Sequence, residues 1–226
     1  MTPNQVTFMR VLAGFAAVAV FHFGRSVIAD TAGVALTIAA IALDGLDGYL
    51  ARTRNLSTPL GAQFDILGDR VVENLYFTFF AVTGMISLWV PIAFFARGAT
   101  TDFLRSFAHR AGRAGFGSEG MLETIWGRLL VASRFSRIAY AGLKCICFCY
   151  LGGLLALSHL TVRWAAHIPV PFLENIGQVL TYGVVAICLL RAIPVLWEGR
   201  CFLIVEKQAS ARVESPERIS ILGRAR

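Results

Sequence analysis

Four aspartates lie between positions 44 and 69 in the pattern Asp44-x2-Asp47-Gly48-x2-Ala51-Arg52-x8-Gly61-x3-Asp65-x3-Asp69. They are set between the apolar runs Val34 to Leu43 and Val71 to Ala81. Carboxylates are costly to bury in such surroundings, so they are expected to hold a cation or to move protons. Asp44 and Asp47 are three apart and Asp65 and Asp69 four apart, which on helices stacks each pair on one face, a turn apart. Four anionic groups brought together repel one another, and a bridging divalent cation relieves the repulsion better than protonation does. Two cations held by four carboxylates suit chemistry at phosphorus, where they cancel charge on non-bridging oxygens and orient attacking and leaving groups.

The elements that must position these groups follow from their surroundings. Arg52-Thr53-Arg54-Asn55-Leu56-Ser57-Thr58-Pro59 is polar and ends in proline, so it reads as a turn joining two antiparallel helices with both acidic pairs near the bend. Gly48 and Gly61 lack a Cβ and Ala51 has little more, which lets a planar or phosphorylated ligand approach the helix backbone. Arg52 adds a fixed positive charge suited to a phosphate. An Asp-Gly pair alone is a common turn signal, and an Asp in a first turn is often only a cap. Eight specified positions at fixed spacing are far more restrictive than either.

At these eight positions the chain resembles the CDP-alcohol phosphotransferase (CDP-alcohol phosphatidyltransferase) family, whose signature it matches without departure. The resemblance implies an all-α integral membrane bundle of six transmembrane helices, often a homodimer. It also implies transfer of a phosphatidyl group from CDP-diacylglycerol to the hydroxyl of a polar alcohol with release of CMP. Carried onto matching positions, Asp44, Asp47, Asp65 and Asp69 would ligate two divalent cations, Mg²⁺ or Mn²⁺, with Asp69 as general base. Gly48, Ala51, Arg52 and Gly61 would border the CDP moiety. The lead-in Pro3-Asn4-x2-Thr7-x2-Arg10 resembles the family's approach to its first helix, so Asn4 and Thr7 are further nucleotide-binding candidates, with capping as their other reading.

Composition agrees with a membrane domain. The chain has 226 residues, 56% of them hydrophobic, leaving little room for a separate soluble module. Apolar segments place six spans at about 7 to 23, 27 to 50, 61 to 84, 86 to 105, 136 to 159 and 175 to 197. The second and third are weak by hydropathy because their ends carry the aspartates. Residues 1–199 are read as the membrane domain and 200–226 as a basic cytoplasmic tail. The start lacks the basic region and cleavage site of a signal peptide, so the first span is read as a retained helix.

With a cytoplasmic N-terminus, Arg10, Arg52, Arg54, the stretch from Arg97 to Arg137 and the tail arginines lie inside, and only Arg25 and Arg163 outside. The positive-inside rule then places both termini and the aspartate hairpin in the cytoplasm, most simply at a bacterial inner membrane. The net charge of +7 is spread through loops beside apolar spans, which speaks for topology and anionic lipid and against nucleic acid. The five cysteines lack zinc-site spacing and read as small buried hydrophobes.

Four arginines are candidates for a phosphate. Arg105, Arg134 and Arg137 flank a glycine-rich stretch, 112 to 120, and either snorkel at the interface or bind phosphate on the acceptor or the CDP. Arg191 sits deep in the apolar run Val184 to Leu196, where an arginine faces a cavity or a partner. If that partner is the acceptor, the acceptor is a phosphorylated polyol such as glycerol 3-phosphate or inositol phosphate. A non-phosphorylated alcohol such as inositol, serine or choline is the alternative. Glu73 and Asn74, one turn past Asp69, are expected to pair with Arg70 or line the cavity. Buried aspartates also mark cation and proton transporters, but those carboxylates cluster at broken helices near the midplane, not at a hairpin with glycines and an arginine.

Overall fold

Pro3 has no N–H to lose at a helix start, and the first helix, α1, begins there and runs Pro3–Gly24. A short link turns at Arg25, whose φ of 42° is left-handed, and Ser26 caps the next helix, its Oγ accepting the Ala29 N–H at 3.3 Å. That helix, α2, spans Val27–Thr53. The third, α3, starts at Pro59 and ends at Val82, and residues 54–58 of the expected polar turn lie outside the described residues. Then come α4 (Trp89–Arg110), a π-helical turn (Arg128–Ala132), α5 (Arg134–Trp164) and α6 (Val170–Gly223). The computed structural model describes residues 3–53, 59–110, 128–164 and 169–223. Among these there is no strand. The glycine-rich stretch 112 to 120 lies outside the described residues, and α6 continues through position 200 into the tail.

Among the described residues three helices are long and apolar enough to cross a membrane, Asn4–Gly24, Phe135–His159 and Val170–Arg200, and Val27–Leu43 is a shorter apolar helix. The remaining two expected spans, about 61 to 84 and 86 to 105, coincide with α3 and α4 but do not reach that hydropathy. In α3 the reason is visible in Asp65, Asp69, Arg70 and Glu73. Large apolar side chains face outward, among them Phe23, Ile28, Trp89 and Phe135, each at least three-quarters exposed. Such a surface suits lipid tails, since all the backbone groups of a helix are satisfied within it.

Packing divides the chain into two units. The first comprises Met1–Ala96 and Ala139–Ile187. In it α1 packs along both α2 and α3. The core is aromatic: Phe77 stacks on Phe94 at 4.3 Å between centroids, Tyr76 on Phe148 at 4.8 Å, and Phe21 on Phe79 at 5.8 Å. Gly33 of α2 and Gly152 of α5 both face the Phe21 ring, and a Cβ would stand 2.6 Å and 2.9 Å from it. Gly152 thus serves close packing inside the chain. The Tyr76 hydroxyl donates to Thr37 Oγ1 at 2.8 Å, satisfying two buried polar groups between α3 and α2. Asp30, in the first turn of α2, is fully buried, with its Oδ2 2.8 Å from His159 Nδ1 of α5. Of the cysteines expected to be buried, Cys147 and Cys188 are, Cys145 and Cys149 are half-buried, and the Cys201 side chain lies outside the described residues.

The second unit comprises Arg97–Ile138 and Cys188–Arg226. Its buried side chains include Thr101, Leu104, Val131, Cys188, Ala192 and Val195. Thr101 bonds back to the carbonyls of Arg97 and Gly98 at 2.9 Å and 3.1 Å, so its hydroxyl needs no other partner.

Candidate active site

The site is built on α3. Asp65, Asp69 and Glu73 recur every four residues and therefore lie along one face of the helix. Gly61 continues that row into the first turn, half-buried and four residues before Asp65. Asp65 and Asp69 are about half exposed, with side-chain accessibilities of 48% and 49%.

Arg10 of α1 spans the two aspartates. Its side chain is 3% exposed, with Nη2 3.1 Å from Asp65 Oδ1 and Nη1 3.0 Å from Asp69 Oδ1. Nη2 also donates to the Asp65 main-chain oxygen at 3.1 Å. A planar guanidinium presents two parallel N–H edges, which is why it can bridge carboxylates a helical turn apart. The approach depends on Gly68: a Cβ there would lie 2.8 Å from Arg10 Nη2 and 2.9 Å from Thr7 Cγ2. Thr7 itself is buried against this contact, 2% exposed. Asn4 is exposed at the edge of an apolar groove between α1 and α3 that Phe8, Met9, Phe64 and Leu67 line.

A second charged cluster sits one turn further along α3. Glu73 is 2% exposed and lies between two cations, Arg70 Nη1 at 3.1 Å from Oε2 and Lys144 Nζ at 3.3 Å from Oε1. Tyr140 donates its hydroxyl to Oε1 at 3.3 Å, and the Lys144 ammonium stands 4.8 Å from the Tyr140 ring centroid. The expected pairing of Glu73 with Arg70 is therefore present, and Asn74 donates to the Arg70 carbonyl at 2.9 Å. Arg10, Asp69, Glu73 and Lys144 share a small cavity of about 60 Å³, closed by apolar side chains that include Ile41 and Phe148. The two clusters thus border one space.

The other half of the aspartate signature is on α2. Asp44, Asp47, Gly48, Ala51 and Arg52 occupy its last turns, where the helical register places positions 44, 47, 48 and 51 on one face. Their side chains lie outside the described residues. Asp65 and Asp69 each direct one oxygen at Arg10, and among the described residues no three His, Cys, Asp or Glu side chains converge as a metal site; hard carboxylate oxygens are the donor type that Mg²⁺ or Mn²⁺ takes.

The four arginines expected at a phosphate fall in the second unit. Arg105 pairs with Asp102 at 3.0 Å, and Arg137 is exposed. Arg134 opens α5, with its side chain outside the described residues. Arg191 is 6% exposed: Nη1 donates to the Leu130 carbonyl at 2.7 Å and to Ser136 Oγ, and Nη2 to the Val131 carbonyl at 3.5 Å. Those carbonyls belong to the π-helical turn, whose i to i+5 bonding leaves carbonyls for such a donor.

Three residues of this site escape sequence reasoning in their roles: Arg10, Tyr140 and Lys144. The signals were faint but present. Arg10 belongs to a lead-in read only for its Asn4 and Thr7, and Lys144 is a lone cation inside the apolar fifth segment, where a charge asks for a partner.

The family model for CDP-alcohol phosphatidyltransferase matches residues 1–205, nearly the whole chain, and the protein belongs to that family. No curated protein matches the chain significantly. Family membership makes it a transferase of phospholipid biosynthesis that moves a phosphatidyl group from a CDP-alcohol to an alcohol acceptor, in a family that generally uses a divalent metal.

Proposed function

We propose that this family member transfers the phosphatidyl group of CDP-diacylglycerol to the hydroxyl of a phosphorylated polyol, glycerol 3-phosphate or inositol phosphate, and releases CMP. The observation that carries the reading is the row of carboxylates on one face of α3, open on the Asp65 and Asp69 side and bordered by Arg70 and Lys144 on the other. One end is suited to a pyrophosphate with its cations and the other to an oxygen-rich acceptor.

Asp44, Asp47, Asp65 and Asp69 would hold two divalent cations, which supply charge neutralisation on the phosphate oxygens. Gly48, Ala51 and Gly61 would leave room for the CDP moiety and Arg52 would grip its phosphate, with Asn4 and Thr7 beside it. Asp69 takes the proton of the acceptor hydroxyl, and the oxygen attacks the lipid-linked β-phosphorus. The bond from that phosphorus to the bridging oxygen breaks and CMP leaves with the electron pair. On the sequence argument Arg105, Arg134, Arg137 and Arg191 are further candidates for the acceptor's phosphate. Six membrane spans with both termini in the cytoplasm, and a homodimer, complete the proposal.

The test is CMP release by the purified full-length protein in detergent with Mg²⁺ or Mn²⁺ and CDP-diacylglycerol. The acceptors are glycerol 3-phosphate, inositol phosphate, inositol, serine and choline. Release with a phosphorylated polyol, abolished by chelator and by Asp65→Ala, is the expected result. Release only with serine or choline would overturn the acceptor class, and silence with every acceptor would overturn the reaction.

A further inference from the structure

The cavity beside Asp69 has a chemistry that the phosphoryl transfer itself does not use. Its inner wall is Glu73 with Lys144, and Arg70 stands on the far side of Glu73. One carboxylate between two cations leaves these three groups net positive, whereas one arginine between Asp65 and Asp69 leaves that trio net negative. The site therefore has an acidic end and a basic end along a single face of α3.

A buried ion pair is poor at stabilising a fold, because the desolvation of both charges offsets their attraction. A lysine within an apolar helix that opens on a cavity is better explained by what enters the cavity. The space of about 60 Å³ has room for a few water-sized groups, which suits a hydroxyl or hydroxymethyl of the acceptor. Lys144 uses one N–H toward Glu73 and rests against the Tyr140 ring, so the ammonium is held in place with donors left over.

We propose that Lys144 is the residue that selects the acceptor. Its ammonium, fixed by Glu73, donates to the oxygen on the carbon next to the reacting hydroxyl while Asp69 faces that hydroxyl. The chemical class is a vicinal polyol or its phosphate ester. An amino alcohol would bring its own ammonium up to Lys144 and Arg10 and is disfavoured by like-charge repulsion. This rests on the transferase reading above.

The experiment is steady-state CMP release by Lys144→Met, Lys144→Arg and Glu73→Gln, with KM measured separately for CDP-diacylglycerol and for each of glycerol 3-phosphate, inositol, glycerol and serine. Lys144→Met is expected to raise the KM for polyols at least tenfold, leave the KM for CDP-diacylglycerol within twofold, and reduce the preference for polyol over serine. Lys144→Arg, which keeps the charge, is expected to retain the preference, and it carries the test with Glu73→Gln if the methionine variant does not fold. In that case loss of preference in Glu73→Gln with retention in Lys144→Arg supports the assignment, and an equal effect of both overturns it. A polyol KM within twofold of wild type in Lys144→Met, or a parallel rise in both KM values, also overturns it. Wild-type protein that releases CMP while the variants behave like it sinks only the role of Lys144. Wild-type protein silent with every acceptor sinks the transferase reading and this inference with it.

Discussion

Asp69 carries two demands that conflict. On the proposed reading it would ligate a metal, which makes a carboxylate a weak base, and from its place on the cavity it would also take the proton of the acceptor hydroxyl. General base catalysis is typically worth about 10²- to 10⁴-fold, so Asp69→Asn is expected to lower kcat for CMP release by at least 100-fold. A loss under about tenfold would reduce Asp69 to orienting the hydroxyl, with the proton leaving through water. Arg10 shows the complementary logic. Its guanidinium lies between Asp65 and Asp69 and offsets part of the repulsion between the two carboxylates.

Among the helices, α3 organises the site. A period of four places Asp65, Asp69 and Glu73 in a row, and Phe77, four residues on, continues that row into the aromatic core, where it stacks on Phe94 while Tyr76 stacks on Phe148. The close approach of α1 to this row rests on Gly68, where nothing larger than hydrogen fits without moving Arg10 or Thr7. Overpacking of this kind costs about 1–3 kcal/mol. Gly68→Ala is accordingly expected to lower the thermal midpoint in detergent and to weaken CMP release, although it changes no charge and touches no aspartate. An unchanged midpoint with full activity would show that α1 can give way. At the start of α2 the pair of Asp30 and His159 ties that helix to α5, well away from the aspartate hairpin.

Across the whole molecule the distribution of charge, not its sum, bears on orientation. On the proposed topology, lysine and arginine gather in the loops and tail on the side of the aspartate hairpin, and the positive-inside rule would set that side in the cytoplasm. There the site would meet the CDP-lipid head group and release CMP into water. A protease added to sealed vesicles is expected to cut the tail beyond residue 200 only when the vesicles are inside-out. Cleavage in right-side-out vesicles would reverse the topology and place the hairpin outside.

The sequence by itself determined what local spacing can determine. The aspartate pattern, the family and the all-helical character follow from residues close together along the chain, where a helix converts spacing directly into a shared face. The pairing of Arg70 with Glu73 was legible for the same reason, three residues being one turn. Only the tertiary structure decided which distant groups complete the site. Arg10 reaches Asp65 across 55 residues, Tyr140 reaches Glu73 across 67, and Arg191 reaches the Leu130 carbonyl across 61. A buried charge announces in sequence that it needs a partner, because an unpaired one is too costly. It does not announce whether that partner is a substrate, a carboxylate or a backbone carbonyl, since all three satisfy the same guanidinium and only the packing of helices against one another brings one of them within reach.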